Sequence, residues 1–129
     1  MMRPLRLLRL WQFVGLLGVC LLIQQSLTPS PAVEMGFPGG DILLHFSAYA
    51  TLMLWFGFIY LPGKAYLQIG AGLTIMGITM EILQGITDYR SFEYIDLVCN
   101  FFGIMVGWLL ARTRVSMALI HLERALAHL

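Results

Sequence analysis

The chain has 129 residues, 59% of them hydrophobic and 12% charged, with a mean hydropathy of +0.80. Soluble domains carry about 25% charged residues, and a small globule cannot hide this much apolar side chain, because a large share of its surface stays in contact with water. Eight Lys and Arg against seven Asp and Glu leave a net charge of +1, which excludes both the basic footprint of a nucleic-acid binder and the high charge of a disordered chain.

The composition predicts a small, single-domain, all-α integral membrane protein, its partner the lipid bilayer. Four apolar stretches approach the ~20 residues needed to cross the hydrocarbon core. The first covers 10–27. Arg3, Arg6 and Arg9 precede it as in a signal peptide, but Leu17-Gly18-Val19-Cys20 is a poor cleavage box because Val19 stands where a small residue is wanted, so the stretch reads as an uncleaved helix. Pro29, Pro31, Pro38, Gly39 and Gly40 break the chain before the second span, 42–61. Leu61-Pro62-Gly63-Lys64 predicts a tight turn into the third span, 67–86. A short polar connection leads to the fourth, 95–111. Cys20 and Cys99 fall inside spans and read as inert packing thiols. The tail, 113–129, places Val115, Leu119, Leu122 and Leu126 on one face, which fits an amphipathic helix on the cytoplasmic leaflet or an extension of the fourth span. Trp11, Trp55, Trp108 and Tyr60 near span ends read as interfacial anchors. Short connections predict a four-helix bundle with antiparallel sequence neighbours.

Seven of the eight basic residues fall at the N-terminus, the 61–64 turn and the tail, and Arg90 alone on the other side. That bias predicts cytoplasmic N- and C-termini. The acids are distributed oppositely. Glu34, Asp41, Glu81, Asp88, Glu93 and Asp96 against Arg90 leave −5 on the outer side, and only Glu123 is inner.

Polar and small residues recur at helical spacing. Asp41, His45 and Tyr49 stand at steps of four; Thr74, Gly77, Glu81, Gln84 and Asp88 alternate three and four, as do Glu93, Asp96, Asn100, Gly103 and Gly107, and Gly15, Gly18, Leu22 and Gln25 in the first span. Such repeats mark seams along which antiparallel helices pack. Gly77, Gly103 and Gly107 read as close-packing positions, since small residues let helices approach where lipid supplies no hydrophobic drive. Glu81 sits roughly 7–8 Å below the interface at ~1.5 Å per residue, where a carboxylate needs an interior, a partner or water. Asp41, His45, Tyr49, Glu81, Gln84, Arg90, Asp96 and Asn100 are therefore the candidate binding residues of an outward-facing pocket. Simpler roles exist for two of them: Asp41 can cap its helix, and Arg90 can neutralise Glu93 or Asp96.

The ordered set Asp41-xxx-His45-Phe46-xx-Tyr49, Glu81-xx-Gln84, Arg90 and Asp96-xxx-Asn100-xx-Gly103 with Gly107 resembles the VanZ-like family. These are small bacterial membrane proteins named after one linked to teicoplanin (glycopeptide) resistance. The resemblance covers about residues 41–108, with Ile42 where the family often has Lys. It implies a multi-pass protein of the bacterial cytoplasmic (inner) membrane with a cell-envelope, antibiotic-resistance-like association. On the residues, the first expectation is a binding or accessory protein whose pocket takes an envelope lipid, a peptide or a glycopeptide-type ligand, attracted by the outer negative charge. The alternative is an enzyme acting on a lipid-linked or peptidic envelope substrate, with His45, Glu81 and Asp96 as candidate catalytic groups. In it His45 beside Asp41 serves as base, Glu81 serves as acid, or Asp41, His45, Glu81 and Asp96 hold a divalent cation. No metal motif such as His-Glu-xx-His is present. A transporter would need polar groups deeper in the spans.

Overall fold

The computed structural model describes residues 1–28, 40–88 and 92–127, with the side chain of Asp41 outside that description. The described residues form five α-helices: α1 (Leu8–Leu27), α2 (Gly40–Ile59), α3 (Lys64–Gly85), α4 (Tyr94–Ala111) and α5 (Ala118–Leu126), with a 3-10 turn at Arg114–Met117. The first four are long and apolar enough to cross a membrane, as in a multi-pass membrane protein. Each lies within three residues of the span expected from the sequence. They are apolar all round rather than on one stripe, as helices surrounded by lipid are. Phe13, Leu16, Leu67, Ile75, Phe102 and Leu109 all point outward.

The chain alternates direction, so α2 and α4 run parallel. The closest packing is between these two, rather than between the antiparallel sequence neighbours expected to share the seams. The reason is local. A β-carbon on Gly103 would fall on the Phe46 carbonyl oxygen, and one on Gly107 on the Ala50 carbonyl oxygen. Bare backbone at both positions lets two helix axes approach. Gly57 and Ala111 continue the contact one turn further along, where the Tyr66 hydroxyl lies 3.0 Å from the Gly57 carbonyl and 2.9 Å from that of Ala111. Tyr49, Leu52, Met53, Tyr66, Leu73, Ile104 and Ala111 form the core around this seam.

The N-terminal segment and the tail meet at the end of the bundle where α2 finishes. Arg3 N–H donates to the Ile59 carbonyl at 2.8 Å, satisfying a group that the end of α2 leaves open, and Leu61 N–H donates to the Met1 carbonyl at 3.1 Å. Gly63, at φ 126°, makes the turn into α3, a conformation essentially restricted to glycine. The tail does not extend α4. Thr113 is extended at φ −92° and ψ −179°, and α5 is a separate helix docked through Leu119 and Glu123. Of the four apolar tail residues expected to share one face, only Leu119 turns inward; Val115, Leu122 and Leu126 remain exposed.

Candidate functional site

At the opposite end, α1 and α3 finish and α2 and α4 begin. Helical spacing on α2 puts His45 and Tyr49 one turn apart on the face toward α4, and the parallel register sets Asp96 and Asn100 across from them. His45 Nδ1 lies 3.1 Å from Asn100 Oδ1, and its Nε2 lies 3.5 Å from Asp96 Oδ2. The side chains of His45 and Asp96 are each 13% exposed, so the pair is largely but not completely desolvated. A carboxylate on one ring nitrogen and an amide on the other fix the plane of the imidazole. Asn100 is itself buried. Gly77 makes the room: a β-carbon there would lie 3.3 Å from both Asn100 Nδ2 and the Tyr49 hydroxyl oxygen. The small residue expected to serve helix packing thus accommodates the polar cluster.

Glu81 reaches the same region from α3 and is 1% exposed. Asp96, His45, Glu93 and Tyr49 all lie within its electrostatic reach. Its Oε1 accepts from the backbone N–H of Glu93, the residue that opens α4. A carboxylate at a helix N-terminus meets unsatisfied N–H groups and the positive end of the helix dipole. Glu81 therefore ties α3 to α4, whatever else it does. Gln84 has a similar structural part: its Nε2 donates to the Ser26 carbonyl at 2.7 Å, binding the end of α3 to the end of α1.

Of the eight predicted binding residues, the structure brings together His45, Tyr49, Glu81, Asp96 and Asn100, and places Gln84 one turn further along α3 against α1. Arg90 and the side chain of Asp41 lie outside the described residues. Helix α2 begins at Gly40, so Asp41 stands inside its first turn rather than ahead of it as a cap. Among the described carboxylates, the partner of His45 is Asp96. No three described His, Cys, Asp or Glu side chains are grouped closely enough to hold a metal ion.

The sequence reading missed a second polar cluster, at the basic end. Arg3 is only 9% exposed. Its guanidinium donates to Ser116 Oγ at 2.7 Å, Met117 Sδ at 3.2 Å and the Gly57 carbonyl at 3.4 Å. Glu123 accepts at Oε2 from Arg6 N–H at 2.7 Å, and at Oε1 from Leu7 N–H at 2.9 Å and Trp11 Nε1–H at 2.7 Å. Burial pushes the Glu123 carboxyl up, but the Leu7 and Arg6 N–H groups, Trp11 and the Arg6 charge outweigh it and hold the carboxyl below its ordinary value. Trp11 and Trp55 are thus held within the fold, with Trp55 Nε1–H donating to the Trp11 carbonyl at 3.0 Å. The one signal in the sequence was that Glu123 is the lone acid among seven basic residues at this end.

No protein-family model matches the chain, and neither a curated protein nor a solved structure matches it.

Proposed function

We propose that the chain is an inner-membrane protein of the bacterial envelope, similar to the VanZ-like family, with both termini cytoplasmic. In this reading its outward polar end binds an envelope-derived ligand that carries an amine: a lipid head group, a stem peptide or a glycopeptide-type molecule. The observation that carries the reading is His45 held between Asp96 and Asn100, largely desolvated but not sealed off. Polar groups placed in a membrane bundle at such cost are site candidates by default. Their neighbours supply the sign of the ligand. Glu81, Asp88, Glu93 and Asp96 make this end strongly acidic, which favours a cationic group.

One observation favours a second reading. An imidazole oriented by a carboxylate is also the arrangement of a general base, so an enzyme acting on a lipid-linked or peptidic envelope substrate, with His45 as base and Asp96 orienting it, is the alternative.

The test uses the full chain in nanodiscs, with thermal stability measured against phosphatidylethanolamine, a D-Ala-D-Ala-terminated stem peptide, teicoplanin and magnesium. A ligand of the folded state raises stability by about 2.7 kcal/mol at 100 times its Kd. The expected outcome is a shift by an amine-bearing ligand in the parent that disappears in His45→Ala and in Asp96→Asn. Variants that keep the parent's shift, or a parent that responds to none of the four, would contradict the proposal. Turnover of the bound ligand would select the enzymatic reading.

A further inference from the structure

At the basic end, the N-terminal segment, the turn after α2 and the tail enclose an open cavity of about 510 Å³. Arg3, Arg6 and Arg124 line it together with the apolar Leu61, Met117 and Ile120. Its one acidic lining residue is Glu123, whose two oxygens already accept three hydrogen bonds from Arg6 N–H, Leu7 N–H and Trp11 Nε1–H. Arg3, nine-tenths buried, is fixed by three neutral acceptors. Among the described residues no carboxylate lies within ion-pair distance of Arg3, Arg6 or Arg124. Among the described residues, the cavity thus gathers three guanidinium groups around a single carboxylate, Glu123, which interacts with the Arg6 charge but forms no ion pair with it. A buried cation without a counter-ion is costly, and an anion entering from the open side would relieve that cost. Arg6 and Arg124 line the cavity and are exposed, so both guanidinium groups are accessible to such an anion.

The cavity's level in the bundle identifies the anion. It lies beside the start of α1 and the end of α2, where spanning helices leave the hydrocarbon core. The adjoining tail leaves Val115 in the 3-10 turn and Leu122 and Leu126 on α5 exposed. A lining that combines guanidinium groups with apolar side chains at this level matches a lipid phosphate with its glycerol and acyl chains, and basic pockets at helix ends bind anionic head groups. We propose that this cavity is a binding site for the phosphodiester head group of an anionic phospholipid. The site is independent of the His45 cluster at the opposite end and requires only that the bundle span a bilayer.

The experiment titrates dioleoyl phosphatidylglycerol into mixed micelles holding the purified full chain and reads thermal stability, with dioleoyl phosphatidylcholine as the neutral comparison. A variant carrying Arg6→Gln and Arg124→Gln removes the two exposed guanidinium groups and leaves the Glu123 and Arg3 hydrogen bonds in place. A second variant, Arg9→Gln with Arg112→Gln, removes equal charge outside the cavity. A basic side chain at a lipid surface contributes about fivefold in affinity. Phosphatidylglycerol is therefore expected to stabilise the parent, with affinity up to about 25-fold weaker in the second variant, which loses only surface attraction, and more than about 25-fold weaker in the first, which also loses the site. Equal stabilisation by both lipids, or equal weakening in both variants, would overturn the site. Reproduction of the shift by inorganic phosphate alone would overturn its assignment to a lipid.

Discussion

Asn100 and Glu123 occupy opposite ends of the molecule, and each shows how one polar side chain organises helices that belong to different parts of the chain. Asn100 orients His45 and packs closely over Gly77, where an added β-carbon would lie 3.3 Å from its Nδ2. Glu123 acts as a cap supplied from the far end of the sequence, accepting from two of the N–H groups just ahead of α1 and from Trp11. Hydrogen bonds to a charged acceptor contribute about 1.5–3 kcal/mol, so Glu123→Gln is expected to lower stability at neutral pH by an amount of that order. The acid response follows from the depressed carboxyl value. Its stabilisation is fully present above the ordinary Glu value of about 4.3 and is lost as pH falls through the lower value of the folded state. Thermal denaturation from neutral pH into that window should therefore show the parent converging on the Glu123→Gln variant. Parallel curves with a constant gap would show that the charge is not what binds α5 to α1.

The parallel contact of α2 with α4 governs the packing of the elements, because it sets His45 opposite Asp96 and Asn100. Overpacking a tight contact costs about 1–3 kcal/mol, whereas interhelical hydrogen bonds in membranes average about 0.6 kcal/mol, so backbone approach outweighs any single polar link here. Gly107→Val, driven against the Ala50 carbonyl, is expected to destabilise by at least that overpacking cost. Gly72→Ala, with nothing within 4 Å of the added carbon, should be neutral or gain up to about 1 kcal/mol from helix propensity. Thermal unfolding of the two variants in one detergent checks this; equal effects would remove the role given to the α2–α4 seam. The existence and extent of the spans were legible because each is an apolar run bounded by Pro, Gly or polar residues. Which helix packs against which was not. Three-and-four spacings of small residues occur on α1, α3 and α4 alike, and such a pattern marks a seam without naming its partner. The tail misled for a related reason. Its inward stripe is Ser116, Leu119 and Glu123, and a carboxylate on a buried face is invisible to a reading that sorts residues by hydrophobicity. The polar site was more legible: His45, Glu81, Asp96 and Asn100 stood out because ionisable and amide groups are rare in spans. Their division into a His45–Asp96–Asn100 group and the helix ties made by Glu81 and Gln84 required coordinates.

Across the molecule, charge among the described residues is separated along the bundle axis: seven basic residues lie at the end shared by the N-terminus, the 61–64 turn and the tail, and Glu81, Asp88, Glu93 and Asp96 lie toward the other. By the rule that basic loops stay inside, that separation supports the proposed orientation, with the ligand site outward and the lipid-phosphate cavity toward the cytoplasm. Both proposals concern opposite faces of one bilayer, and the orientation is the claim on which the envelope-facing function depends. Cysteine labelling in intact bacterial cells measures it directly, in a background where Cys20 and Cys99 are replaced by Ala. Asp88→Cys and Lys64→Cys each put a thiol at an exposed position, one at each end of α3. The account predicts that a membrane-impermeant maleimide labels Asp88→Cys in intact cells and Lys64→Cys only after permeabilisation. The reverse pattern would put His45, Asp96 and Asn100 on the cytoplasmic side and contradict the envelope-facing function.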